Sequence, residues 1–262
     1  MPAKPQPTVP YRPLISVVTV VLNSARTLER TIQSVTRQDF DDFEYVLIDG
    51  ASTDGSLDII RKYEPQISYW RSEPDEGLYD AMNKGLRAAS GRWILFLGAD
   101  DELVATLAEI APLLKDERTV YYGDVYMPRR QCIYDGPFNA YKIMFMNICQ
   151  QAIFYPRRVF ELHSFDTRYK LWADYALNMA CFGDARLRFE YIGKLVSLYN
   201  DYSGASAYTE DSKFEADREM LIRAYLPLRL FAAYLLRTRA LKFRFWFGTL
   251  RRRLRSAMKW PV

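Results

Sequence analysis

The chain has 262 residues, of which 49% are apolar and 15% aromatic, and a formal net charge of +4. That length suffices for one large α/β domain or one domain with a helical appendage, and the apolar share for a sizeable core. One histidine and three cysteines without a CxxC pair argue against a His-rich metal centre, a Ser-His-Asp triad and a disulfide scaffold, and fit a reducing compartment.

Met1 to Pro13 carries five prolines and no apolar run, so it reads as an extended lead-in, neither signal peptide nor helix. Leu14 to Leu22 is a β-branched run, expected as a buried strand. Asn23 and Ser24 are placed to cap a helix that puts Leu28, Ile32 and Val35 on one face. After a turn at Asp39 to Asp42, Tyr45 to Ile48 is a second buried strand, ending at Asp49-Gly50. Ser52-Thr53-Asp54 then leads into a helix over Ser56 to Tyr63. A short strand at Ile67 to Trp70 and a polar loop from Ser72 to Gly77 precede a helix over Tyr79 to Ala89, which Ser90-Gly91 stops. Trp93 to Leu97 is the next buried strand, ending at Gly98-Ala99-Asp100-Asp101.

This alternation predicts an α/β fold with a mainly parallel sheet and helices on both faces. Such sheets bind ligands beyond the carboxyl ends of their strands, which is where Asp49 and Asp100-Asp101 fall. Two adjacent carboxylates repel unless a cation lies near them, and Mg²⁺ or Mn²⁺ takes oxygen ligands together with phosphates and waters. The alternative role for the pair is capping a helix over Leu103 to Leu114.

Beyond residue 115 the pattern loosens. Val120 to Tyr126, Ala152 to Tyr155 and Leu187 to Ile192 read as strands, and Tyr169 to Cys181 as a helix carrying Asp174. From Asp211 the chain reads as helical, with Leu221, Tyr225, Leu228, Ala232 and Leu235 at helical spacing and Pro227 dividing it. His163 reads as structural. No stretch reaches the roughly 20 apolar residues needed to span a bilayer.

Several pieces recur in a specific order: Ser16-Val17-Val18-Thr19, Asn23, Gln38, Phe43-Glu44-Tyr45, Ile48 to Ser56, Ser72-Glu73-Pro74-Asp75, Gly77 to Gly85, Gly91 to Ile94 and Phe96 to Asp101. Together they resemble the donor half of the family 2 glycosyltransferases, which have the GT-A fold. A weaker likeness runs through Gly123-Asp124, Gln151 to Tyr155, Phe165 to Asp174 and Ser203-Gly204. The resemblance implies a donor-binding half over 14–115, an acceptor-binding half of the same domain over 116–210 and a helical extension over 211–262. It implies a metal-dependent, inverting transfer of sugar from a UDP, GDP or dTDP donor, with Mn²⁺ or Mg²⁺ stabilising the leaving group. Asp49 matches the acid that meets the nucleobase, framed by Val20, Val21 and Leu22. Asn23, Ser52, Gly77, Tyr79, Asn83 and Asp100 complete the implied donor contacts, and Asp101, with Asp100, the metal ligands. Asp174 matches the base that deprotonates the acceptor. Gln151 and Trp172 fall on the acceptor side. Many relatives have Arg where Met82 stands, leaving Lys84 or Arg87 as stand-in phosphate partners, and His where Gln150 stands.

Charge is unevenly placed. Residues 229–262 carry eight Arg, two Lys and no acid, or +10, so against the total of +4 residues 1–228 carry −6. Arg237 to Lys259 interleaves these cations with aromatics. That suits a helix lying on anionic lipid better than nucleic acid, for which no recognition motif is present. The expected setting is cytoplasmic, peripheral on the cytosolic membrane face, with a glycan or lipid-linked acceptor. Two other readings are a nucleotidyltransferase, which usually shows a Gly-rich phosphate loop that Val20 to Ala25 lacks, and a non-catalytic sugar-nucleotide or lipid-binding subunit.

Overall fold

The computed structural model describes residues 11–134, 136–202 and 210–240. The proline-rich lead-in through residue 10, Ser203-Gly204 and the basic stretch from residue 241 lie outside the described residues. The strands are β1 (Ile15–Val21), β2 (Phe43–Asp49), β3 (Tyr69–Ser72), β4 (Trp93–Gly98), β5 (Glu102–Leu103), β6 (Thr119–Met127), β7 (Cys132–Tyr134), β8 (Ile153–Pro156) and β9 (Arg188–Leu198). The helices are α1 (Leu28–Thr36), α2 (Ser56–Tyr63), α3 (Leu78–Ala88), α4 (Leu107–Ile110), α5 (Arg157–Leu162), α6 (Ala173–Gly183) and α7 (Ser212–Tyr225).

All nine strands form one sheet in the order β3-β2-β1-β4-β8-β6-β9-β5, with β7 paired to β6. The first four run parallel; β8 and β5 pair antiparallel to their neighbours. The β-branched sequence of β1 is buried throughout. With a pleat of period two, Val17 and Val21 enter one layer and Val18 and Val20 the other. Leu28, Ile32, Val35 and Ile60 bring α1 and α2 onto the first layer. Met82, Val159, Leu177 and Phe214 bring α3, α5, α6 and α7 onto the second.

Register positions the site. Val21 pairs with Asp49 and Val20 with Gly98, so the ends of β2 and β4 flank the end of β1. Two strand spacings separate them, about 10 Å.

Four expectations change. The acidic pair does not lead directly into a helix over Leu103 to Leu114: β5 follows it, pairing with Ser197 and Leu198, and α4 is a single turn before a 3-10 turn containing Pro112. Helix capping therefore does not account for Asp100-Asp101. Asn23 and Ser24 do not cap α1, which begins at Leu28 after a turn. α6 starts at Ala173 because the N–H groups of Leu171 and Trp172 go to Asp211, whose other oxygen accepts from Phe214 N–H and caps α7. β9 extends to Leu198 rather than stopping near Ile192. Pro227 divides the C-terminal helix as expected: α7 ends at Tyr225 and the chain is helical again over 228–240. Among the described residues no helix is long and apolar enough to cross a membrane.

Candidate active site

The carboxyl ends of β1 and β4 open onto a cleft of about 1330 Å³. Val20, Leu22, Asn23, Tyr79, Asp100, Asp101, Gln151, Trp172 and Asp174 all line it. The structure thus brings the expected metal, base and acceptor-side residues together from segments up to 74 positions apart.

The acidic turn is held from behind by α1. Thr27 donates to the Ala99 carbonyl at 2.9 Å and Thr31, one turn on, to the Asp101 carbonyl at 2.7 Å. In front, Asn200 N–H donates to Asp101 Oδ1 at 2.8 Å and Asn200 Nδ2 to Asp100 Oδ2 at 3.0 Å. The remaining oxygens converge over Gly98: a Cβ built there would lie 2.5 Å from Asp101 Oδ2 and 3.1 Å from Asp100 Oδ1. Glycine is needed because the two carboxylates occupy the space of a side chain. Burial raises the pKa of both, and the charge of Asp100 raises Asp101 further against the opposing hydrogen bonds from Asn200 and Gln151. Gln151 therefore sits beside the acidic turn, while Trp172 packs 5.3 Å from Phe214 under the Arg218 guanidinium.

A buried and a half-buried carboxylate that each turn an oxygen toward the space over Gly98 fit a hard divalent cation. The described residues hold no cluster of three or more His, Cys, Asp or Glu. Donor phosphates and waters would complete a shell begun by Asp100 and Asp101.

Several expected donor contacts do not reach the cleft. Ser52 accepts from Asn23 N–H at 2.8 Å, and Asn23 Oδ1 accepts from Thr53 N–H at 2.9 Å. Ser24 N–H and Ala25 N–H go to Ser56 and Asp54. The polar residues after β2 thus stitch its loop to the loop after β1, and Asn23 tolerates the φ of 48° that the stitch requires. Asn83 is held under α3, donating to the Phe165 carbonyl at 3.1 Å. Gly77, with φ 125°, makes the turn into α3 without lining the cleft. Asp49 is fully buried behind the cleft wall. Its Oδ2 accepts from Ser52 N–H at 3.1 Å and from the Ser72 hydroxyl at 2.6 Å, while Oδ1 has no protein partner. Lys84 and Arg87 line a separate groove, and Lys84 is tied to Pro74 O, Glu73 and Asp80. They do not replace an arginine at Met82, whose sulfur instead accepts from Gln150 at 3.6 Å. The cleft's own cations are Arg26, Arg30, Arg130 and Arg218, none of which the sequence patterns single out.

Asp174, in the first turn of α6, is 8% exposed. The Tyr79 hydroxyl lies 2.5 Å from its Oδ1 and 2.7 Å from the Leu171 carbonyl, and Asn147 Nδ2 donates to its Oδ2 at 2.6 Å. Tyr79 thus lines the cleft with its hydroxyl shared between Asp174 and the Leu171 carbonyl. Burial pushes the Asp174 carboxyl up to about 6, and the bonds from Tyr79 and Asn147 limit the rise. Away from the cleft, His163 stands 3.4 Å from Asp184, a structural position. The three cysteines are free.

A sheet whose parallel strand ends carry an acidic pair, continued by antiparallel strands and flanked by a helix that brings a third acid to the same cleft, is the arrangement of the GT-A glycosyltransferases. TarS from S. aureus, solved as residues 1–349 with UDP-GlcNAc, shares the fold at a TM-score of 0.66 and 20% identity over 81% of this chain and 66% of that one. A mannosyltransferase from Pyrobaculum calidifontis, solved with GDP-Man and Mn²⁺, shares it at 0.59 and 19% over 88% and 76%.

The chain belongs to glycosyl transferase family 2, whose model matches residues 16–196. It is 38% identical over 211 residues to the PGL/p-HBAD biosynthesis glycosyltransferase of Mycobacterium tuberculosis, covering 77% of this chain and 82% of the relative. A cholesterol galactosyltransferase of Borreliella burgdorferi is 36% identical over 98 residues, 37% of this chain and 27% of the relative.

Proposed function

We propose that this glycosyltransferase takes a sugar from a nucleoside diphosphate donor and places it, with inversion, on a hydroxyl of a glycolipid or lipid-linked glycan. The observation that carries the reading is the placement of Asp174, buried and held by two donors, in the same cleft as Asp100-Asp101. In this reading residues 14–115 bind the donor and 116–210 the acceptor. The acceptor oxygen bonds to the anomeric carbon as the bond from that carbon to the phosphate oxygen breaks. The electron pair leaves with the nucleoside diphosphate, and the acceptor's proton passes to an Asp174 oxygen. A carboxyl held near 6 is charged at neutral pH, yet more basic than an exposed aspartate. Mn²⁺ or Mg²⁺ on Asp100 and Asp101 would neutralise charge on the departing diphosphate. Asp49, whose Oδ1 has no protein partner, would be the acceptor for a nucleobase N–H once the side chains that bury it give way.

The glycolipid acceptor is supported by the names of the mycobacterial and Borreliella relatives. The apolar wall formed by Phe145, Met146, Ile148 and Trp172 suits such a molecule. The basic segment after residue 240 would hold the enzyme at the membrane surface where that acceptor lies. Two variants test the division of labour. Asp101→Asn should lose metal-dependent donor binding, and Asp174→Asn should keep it while losing transfer by about 10³-fold or more. Full transfer by Asp174→Asn would exclude it as the base.

A further inference from the structure

α6 is an apolar helix that nevertheless carries Asn178, fully buried one turn beyond Asp174. Spacing of i, i+4 puts both side chains on one face. Asn147, from the loop ahead of β8, spans them: its Nδ2 donates to Asp174 Oδ2 at 2.6 Å and its Oδ1 accepts from Asn178 Nδ2 at 2.8 Å. Asn178 Oδ1 accepts from the Tyr155 hydroxyl of β8 at 2.9 Å. The Asn147 backbone is fixed as well, its carbonyl accepting from the Tyr134 hydroxyl at 2.7 Å.

Buried amides cost stability unless their polar atoms are satisfied, and apolar side chains would fill this space at less risk. Each group here also sets the orientation of the next. The ionised Asp174 carboxylate can only accept, so Asn147 must turn its nitrogen toward Asp174 and its oxygen toward Asn178. Asn178 must then turn its nitrogen toward Asn147 and its oxygen toward β8, where the Tyr155 hydroxyl donates to it. Reversing either amide would bring oxygen against oxygen.

Taking Asp174 as the base, we propose that Asn147, Asn178 and Tyr155 are positioning residues, a chain that fixes the Asp174 carboxylate so that its free lone pairs stay presented to the acceptor in the cleft. The chain acts through Asp174. It also donates hydrogen to the charged form of a carboxyl that burial pushes toward protonation. The titratable and charged groups packed around Asp174 are Tyr79 from α3, Tyr155 from β8, Cys149 from the loop ahead of β8, Tyr175 beside it, and Asp211 and Arg218 of α7. Only Tyr79 and Asn147 donate side-chain hydrogen bonds to its oxygens among the described residues.

The test is a direct titration of full-length protein carrying ¹³C-labelled aspartate carboxyls, with the Asp174 signal assigned by its loss in Asp174→Asn. In Asn147→Leu the Asp174 midpoint should move upward by about one pH unit, the worth of a hydrogen bond to a charged group. Tyr155→Phe, which deletes one oxygen three links away, should move it the same way by a smaller step. It carries the test if Asn147→Leu does not fold. Midpoints that coincide with the wild type in the folded variants would overturn the chain. Sugar transfer by Asp174→Asn would instead remove the base itself, and with it the chain. An inactive Asp174→Asn with unmoved midpoints overturns the chain alone.

Discussion

Asp174 is held under opposing demands, and they have a measurable consequence. Its carboxyl is raised to about 6 by burial, whereas in the unfolded chain it titrates near its ordinary value of 3.8. Between those values the folded state binds the proton and the unfolded state does not, so stability falls as pH rises through the window. Asp174→Asn removes this dependence. Its stability relative to the wild type should therefore improve by roughly 2 kcal/mol between pH 4 and pH 7. Denaturant midpoints at the two pH values check this, and a pH-independent difference would count against the buried carboxyl. Gly98→Ala tests the acidic turn: its methyl would displace both carboxylates, and metal-dependent donor affinity should fall by about tenfold or more with the fold intact. Asp100, Asp101 and Asp49 are legible in the sequence because a carboxylate at the end of an apolar strand has no packing role. Asn147 and Asn178 are not legible, because a single amide in an apolar helix or loop has no periodic signature. Ser52 and Asn83 are engaged in holding the fold itself. A motif records loop stitching as faithfully as ligand contact.

The elements themselves obey simple patterns where both faces of a strand are buried. β1, β2 and β4 are continuous apolar runs, and α1 to α3 are amphipathic, so the parallel half of the sheet is readable from residue 14 to 98. In the antiparallel half β6, β8 and most of β9 are readable as well; β5, two residues long and fixed by a partner distant in sequence, is not. The region expected as a helix from Leu103 fails for this reason: pairing with β9 outweighs helical spacing, and Pro112 keeps α4 to a single turn. α7 shows the reverse case, a helix whose existence is legible and whose docking is not. Phe214 is fully buried, ringed by Tyr169, Trp172 and Tyr175 at 5.7, 5.3 and 4.9 Å. Phe214→Ala should cost roughly 3–5 kcal/mol and loosen the first turn of α6, where Asp174 sits. Denaturant unfolding checks the stability loss. A cost below about 1 kcal/mol would mean that α7 does not clamp α6.

For the molecule as a whole, the unequal charge matters most. The body through residue 228 carries −6 and the remainder +10. Leu230, Phe231 and Tyr234 pack against the core, so a truncation meant to remove only the basic tail should end after residue 240 rather than at 228. Full-length protein should co-sediment with anionic liposomes, and the variant ending at 240 should bind less, with a difference that shrinks as salt rises. Equal sedimentation of both would place lipid affinity elsewhere. The central claim, a metal-dependent sugar-nucleotide site at Asp100-Asp101, is tested most directly by calorimetric titration. UDP-, GDP- and dTDP-sugars would each be titrated into wild type and Asp101→Asn, with Mn²⁺ and with chelator. At least one donor should bind the wild type about tenfold more tightly with Mn²⁺ than without, and Asp101→Asn should abolish that difference. Binding of no donor in either condition, or a metal effect that survives Asp101→Asn, would contradict it.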